Sequence, residues 1–275
     1  MRRQLISALR DIGRMATAGQ RALPGFLVIG AMKSGSTALH EYLAQHPRIV
    51  SGKRKEMHFF DRRLRRGRLW YRSQFPRRSE LDGGKLTGDA TPTYLVAPHA
   101  PALAKALLRD AKLIVVLRDP AERAISHYFH QQARWKNEPL GLLEALQAEP
   151  KRLAPHLVRM KGDALYFPWD YTHYAYQHQG DYAVHLRRWI DAFGRDRLHV
   201  IESDELATDT ATALRSTFEF LGVDPEFDVP NVQPRNVTPG KRGVDEAVYD
   251  HLRQRFAEPN EALFDLLGRR FDWCK

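Results

Sequence analysis

The chain is predicted to fold as a single α/β domain, a central parallel sheet flanked by helices, and three observations predict it. Phe26-Leu27-Val28-Ile29 is a short run of aromatic and branched residues that stops at Gly30, passes through a loop of small residues, and gives way to a helical pattern from Thr37-Ala38-Leu39 through Tyr42-Leu43. Residues 112–117, Lys-Leu-Ile-Val-Val-Leu, read as a strand buried on both faces, and Asp119-Pro120 opens a helix directly after it. The 275 residues, 43% of them hydrophobic, suffice for one large core. Strands alternating with helices are the pattern of a parallel sheet.

Taken in order, residues 1–23 form a basic amphipathic segment. Leu5, Ile6, Leu9, Ile12 and Met15 share a helical face, with Arg2, Arg3, Arg10, Arg14 and Arg21 elsewhere. Such a helix either rests on a membrane surface or a partner, or packs on the domain that begins at residue 24. Nothing approaches the roughly 20 apolar residues of a membrane span, and the N-terminus lacks a signal-type apolar run. Cys274 is the only cysteine, so no intrachain disulfide can form. A soluble protein in a reducing, cytoplasmic compartment is expected. Forty-three Lys and Arg against 33 acidic residues give a net charge of +10, which suits phosphorylated nucleotides, acidic saccharides, nucleic acid or an anionic membrane. The dense run Arg62, Arg63, Arg65, Arg66, Arg68 and Arg72 reads equally as a solvated face or an anion-binding rim.

The loop after the first strand is suited to a phosphate-like anion. Strand, loop and helix N-terminus turn backbone N–H groups toward one point, Lys33 adds a positive charge, and Ser34, Ser36 and Thr37 add hydroxyls. An ordinary nucleotide-triphosphate loop has lysine immediately after the second glycine. Here Gly30 and Gly35 have that separation, yet the lysine lies inside the loop and Ser36-Thr37 follow the glycine. Lys33-Ser34-Gly35-Ser36-Thr37 instead resembles the P-loop-like 5′-phosphosulfate loop of sulfotransferases that use 3′-phosphoadenosine-5′-phosphosulfate (PAPS). The bland alternative is a Gly/Ser turn without a ligand.

Beyond His46-Pro47, Ile49-Val50 is read as the opening of a second short strand. Lys53-Arg54-Lys55-Glu56-Met57-His58-Phe59-Phe60-Asp61 resembles a stretch of the heparan sulfate sulfotransferase family in which the glutamate is the catalytic base. The resemblance implies that role for Glu56 and makes His58 a candidate beside it. Three cations would lower the Glu56 pKa and burial beside Phe59 and Phe60 would raise it, and the sequence leaves the balance open. Leu69-Trp70-Tyr71-Arg72 through Phe75-Pro76 reads either as an acceptor groove lined by aromatics or as core edge. In Gly88-Asp89-Ala90-Thr91-Pro92-Thr93-Tyr94, Ala90 stands where the 3-O-sulfating members carry a lysine.

Residues 102–108 read as helix before the 112–117 strand. Ligands of open α/β sheets collect beyond the carboxyl ends of strands, where Arg118-Asp119-Pro120 falls. With Arg123 and Ser126 this segment resembles the sulfotransferase 3′-phosphate motif, which implies that Arg118 and Ser126 grip that phosphate; a capped helix start with a salt-bridged arginine is the plain alternative. His130 lies one turn beyond Ser126 on the same face, in a setting like that of a histidine that helps catalysis in the N-sulfating branch. Residues 139–161 read as a helical insert. The aromatic-rich 165–179 is an acceptor wall or core. Helices from Tyr182 and over 211–221 bracket a strand at His199-Val200-Ile201-Glu202. Pro239-Gly240-Lys241-Arg242-Gly243 resembles the basic loop that closes over the 3′-phosphate, implying Lys241, Arg242 and Gly243 as contacts.

The resemblance spans residues 26–273 and implies a soluble, bacterial-type PAPS-dependent enzyme of the heparan sulfate (N- and 3-O-) sulfotransferase type. It would move a sulfuryl group to a hydroxyl or amine, release 3′-phosphoadenosine-5′-phosphate (PAP) and need no metal. The expected acceptor is a saccharide, not nucleic acid. Two other classes stay open at this stage. One is a P-loop kinase with Asp119 holding Mg²⁺, and the other is a polyanion-binding module using the +10 charge.

Overall fold

The computed structural model describes residues 13–233 and 243–273. Among these residues four parallel strands form one sheet: β1 (Phe26–Gly30), β2 (Gly88–Ala90), β3 (Lys112–Leu117) and β4 (Leu198–Glu202), in the order β2-β1-β3-β4. Val28 is level with Ala90 on one side and Ile114 on the other, and Val115 pairs with Val200. The α-helices that connect and cover the strands are α1 (Ser36–Leu43), α2 (Gly67–Ser73), α3 (Ala100–Leu107), α4 (Pro120–His130), α5 (Leu142–Gly162), α6 (Trp169–Tyr174), α7 (Tyr182–Phe193), α8 (Ser203–Thr208), α9 (Thr210–Leu221) and α10 (Glu246–Leu267).

Strand alternation divides the core into two layers. Leu27, Ile29, Leu113, Val115 and Leu117 face one way, into a cluster with Trp189 of α7 and Leu263 of α10. Phe26, Val28, Ile114 and Val116 face the other way, against Leu39 of α1 and Phe218 of α9. Because both faces are covered, β1 and β3 are apolar at every position but their ends. A third cluster joins Ile125 of α4 to Leu146 of α5 and Phe256 of α10.

β2 has no strand signature in the sequence, since glycine, aspartate and alanine are all depleted in strands. It pairs here because Gly88 lets the Phe26 ring lie across it; a Cβ at that position would sit 2.3 Å from the ring. Ile49 forms only an isolated parallel bridge to Leu86, so no strand extends through Ile49-Val50. The groove reading of residues 69–76 fails. Trp70, Tyr71 and Phe75 are 4%, 0% and 0% exposed, and Tyr71 stacks on Phe59 at 4.4 Å between ring centroids. The run of arginines divides: the guanidinium groups of Arg63 and Arg66, joined by that of Arg54 from outside the run, gather around the Trp70 ring, and Arg62 turns to α6, where it donates to Thr172 Oγ1.

The described part of the N-terminal segment is fastened to the domain. Arg14 donates to the carbonyls of Ser73 and Phe75, and Ala22 N donates to Pro76 O at 3.0 Å. Its first 12 residues, which would carry any membrane contact, lie outside the described residues, as does Cys274. Among the described residues no helix is long and apolar enough to cross a membrane.

Candidate active site

The predicted anion loop leaves β1 at its carboxyl end, beside the carboxyl end of β3. Ala31 N donates to Val116 O at 2.7 Å, so the loop is stitched to the neighbouring strand where it begins. Gly35 precedes α1 with φ of 102°, a backbone that only glycine adopts without strain. No side chain caps α1. Its first-turn N–H groups, at Ser36 and Thr37, are therefore left to an anion or to water. Ser34 Oγ is buried without an aligned hydrogen-bond partner and lies beside the Tyr182 hydroxyl. Tyr182 donates to the carbonyl of Arg118 at 3.0 Å, so one phenol reaches both the loop and the segment after β3.

Glu56, in the loop between α1 and α2, is pinned at the same edge: its N–H donates at 3.0 Å to the carbonyl of Ala90, the last residue of β2. Lys55 Nζ donates to Thr37 Oγ1 at 2.6 Å and lies 3.3 Å from Glu56 Oε1, tying this segment to the first turn of α1. His58 then bridges two carboxylates. Its Nε2 is 3.6 Å from Glu56 Oε2 and its Nδ1 is 2.9 Å from Asp61 Oδ2, which also accepts from Thr93 Oγ1. The balance left open by the sequence is resolved downward: the bond to His58 outweighs burial, Lys55 adds to it, and the Glu56 carboxyl falls from 4.5 to about 2. Burial pushes the His58 imidazole down, but its bonds to Asp61 and Glu56 outweigh burial and leave its pKa raised.

Lys33, Glu56 and His58 have φ of 70°, 58° and 52°. Only one other described non-glycine residue, Lys136, lies in the left-handed region. Each such residue costs about 1 to 3 kcal/mol, and strain of this kind concentrates at functional sites.

Beyond β3, Asp119 caps α4 by accepting from Ala121 N at 2.7 Å and Glu122 N at 3.4 Å, with Pro120 in the first turn. Its carboxylate is thus committed to the helix start. Arg118 Nη2 rests on Glu122 Oε2 at 2.8 Å, and Tyr249 of α10 donates to the other Glu122 oxygen. Ser126 is buried on α4. His130, a turn further, is lowered to about 4 by burial first and then by Lys33, Arg134 and His173, so its imidazole is neutral at pH 7 and near enough to Lys33 to feel its charge. The structure thus gathers Lys33, Ser34, Gly35, Ser36, Thr37, Glu56 and His58 at one sheet edge, with Arg118, Ser126 and His130 on the segment after the adjacent strand. Gly243 lines a separate cleft of about 350 Å³ with Tyr128, Phe129 and Glu144, and Lys241 and Arg242 lie outside the described residues. Sequence reasoning did not single out Asp61, Thr93 or Tyr182 as site residues; Asp61 closes the stretch that begins at Lys53, Thr93 lies within the Gly88–Tyr94 stretch, and Tyr182 opens its helix.

Residues 23–238 match the family model described as the sulfotransferase domain. The chain belongs to the sulfotransferase domain family. It is 35% identical over 205 residues to heparan sulfate glucosamine 3-O-sulfotransferase 3A1 of Mus musculus, covering 74% of this chain and 47% of that one. It is 34% identical over 216 residues to bifunctional heparan sulfate N-deacetylase/N-sulfotransferase 3 of Homo sapiens, covering 75% and 23%. This sulfotransferase-domain chain spans about half the length of the 3-O-sulfotransferases it matches. Among solved structures, a sulfotransferase from Alicyclobacillus acidocaldarius superposes with a TM-score of 0.75 at 28% identity, covering 91% of this chain and 98% of that one. Neither the kinase nor the polyanion-binding reading is favoured, and for the former Asp119 is already occupied as a helix cap.

Proposed function

We propose that this sulfotransferase-domain protein moves the sulfuryl group of PAPS to a hydroxyl or amine of a saccharide. One observation carries the reading: the Lys33 loop and the Arg118 segment leave adjacent parallel strands at the same edge, where the Glu56 N–H is bonded to the last carbonyl of β2. When bound, PAPS supplies an activated sulfuryl group at one end and a 3′-phosphate at the other. The residues fit such a ligand. The uncapped start of α1, the lysine and the orphaned Ser34 hydroxyl suit the 5′ end. Arg118, which trades Glu122 for a phosphate, and Ser126 suit the 3′ end; Lys241, Arg242 and Gly243 are assigned to the same phosphate by the resemblance of their loop alone.

In this reading Lys33 and the loop N–H groups neutralise charge that builds on the leaving oxygen. Glu56 accepts the proton of the acceptor group, and His58, held by Asp61, aims the carboxylate. A carboxylate near 2 is a weak base, so the proton moves late, once the forming bond has acidified the nucleophile. His130, neutral at pH 7, is the alternative base. The names of the heparan sulfate relatives favour an acidic saccharide, and a cytoplasmic location belongs to the same proposal.

Incubation with [³⁵S]PAPS and a panel of acidic and neutral saccharides tests the reading. Label transferred to a saccharide supports it. Label that stays on PAPS with every acceptor contradicts it.

A further inference from the structure

Two of the chain's tryptophans stand half exposed against one shared histidine. Trp135 and Trp169 are 52% and 49% exposed, whereas Trp70 and Trp189 are 4% and 0%. His173, itself buried, joins them: its ring stacks on Trp169 at 3.7 Å and 14°, and meets Trp135 edge-on at 5.5 Å and 84°. His173 Nδ1 donates to the Trp169 carbonyl at 2.8 Å, which fixes the ring against the indole. Exposed single apolar residues are ordinary, but two half-exposed indoles held against the same buried histidine make a built surface.

The backbone delivers both rings deliberately. Trp135 ends a π-helical turn, Gln131–Trp135, that follows α4 and is stopped by Lys136 in a left-handed conformation. Such turns cluster at functional sites. Trp169 begins α6, which Arg62 holds through Thr172. The location follows from the chain: the turn that carries Trp135 begins directly after His130, and Arg62, next to Asp61 in sequence, donates to Thr172 immediately before His173. The pair of indoles therefore lies on the side of the site bounded by His130 and Arg62, with the Arg118–Glu122 pair at the far end of α4.

We propose that Trp135 and Trp169, braced by His173, form the platform on which a pyranose ring of the acceptor saccharide stacks. The proposal rests on the sulfuryl-transfer reading and names its acceptor subsite. A pyranose presents a face of C–H groups that packs on an indole and an edge of hydroxyls or carboxylates for cations. Arg62 and Arg134, the latter 5.8 Å from the Trp135 ring centroid, supply those cations. A bare polyanion would need the arginines without the exposed rings.

The test uses the full chain with Trp135→Ala, Trp169→Ala, the double variant, and Trp→Phe at each site. Binding of a glucuronate–glucosamine hexasaccharide and of maltohexaose is measured calorimetrically with PAP present, beside turnover with PAPS. Each alanine variant should raise the acceptor Kd and KM about 10-fold, and phenylalanine about threefold or less, with PAP affinity held within about twofold. An unchanged acceptor Kd in the double variant overturns the proposal. So does PAP binding that weakens in parallel, which would make the indoles an adenine site. Wild-type protein that binds a hexasaccharide through these tryptophans but never sulfates it sinks the transfer reading and leaves the platform standing. Wild-type protein that binds neither hexasaccharide overturns both.

Discussion

Replacing His58 by asparagine isolates the link on which the Glu56 assignment depends. Asparagine tolerates the left-handed backbone at φ 52° and keeps a polar side chain, but removes the ring that bridges Glu56 and Asp61. Glu56 sits at about 2 against an ordinary 4.5, and every tenfold change in acidity corresponds to about 1.4 kcal/mol. Because the carboxylate is 46% exposed, solvent screening cuts the full figure, and about 1 to 2 kcal/mol is expected. The sign follows from both partners. A carboxyl lowered on folding stabilises above its unfolded pKa of 4.5, and that contribution is lost as pH falls toward 2. An imidazole raised on folding stabilises below 6.5, and that contribution is lost as pH rises through its folded value. The stability difference between wild type and His58→Asn, from urea unfolding across about pH 3 to 9, should therefore peak between about 4.5 and 6.5 and shrink on both sides. A difference constant across pH would mean that His58 contributes packing alone, and would refute the bridge. The acid limb of kcat/KM should move upward in the same variant, toward the ordinary carboxyl range.

Glu56→Gln should lower kcat by about 10² to 10⁴ while PAP affinity stays near wild type; full turnover in a sulfate-transfer assay would remove the base assignment. Lys33→Ala should abolish most transfer as well, measured with [³⁵S]PAPS, and near-normal kcat would exclude it from charge neutralisation. Arg118→Ala should weaken PAP binding about 10- to 100-fold by calorimetry, and equal affinity would refute the 3′-phosphate role. Gly88→Ala places a methyl group against Phe26 and should cost about 1 to 3 kcal/mol in urea unfolding; an unchanged midpoint would show that β2 yields to the ring.

Much of the scaffold is legible in the sequence because β1 and β3 are covered on both faces and write themselves as unbroken apolar runs. β2 is not, since its residues are selected for what surrounds them. Gly88 lies under Phe26, and Asp89 is buried, accepting from Tyr71, Tyr94 and Thr91. The same burial turns Trp70 and Tyr71 from an imagined groove into core. At the site, residue types reveal the anion loop, because its chemistry lies in consecutive residues. The Glu56-His58-Asp61 bridge is hidden: Glu56 and His58 both take a left-handed backbone where the side chains meet, and nothing in their side chains announces that. Trp135 is hidden likewise, since a π-turn shifts the face on which a helical residue emerges.

The most direct test of the account is calorimetric titration with PAP, adenosine 5′-phosphate and ATP·Mg²⁺ in parallel. Two anion sites at one sheet edge predict that PAP binds at least about 10-fold more tightly than the analogue without a 3′-phosphate, and that ATP·Mg²⁺ does not compete. Equal affinity for PAP and adenosine 5′-phosphate, or tighter binding of ATP·Mg²⁺, would contradict it.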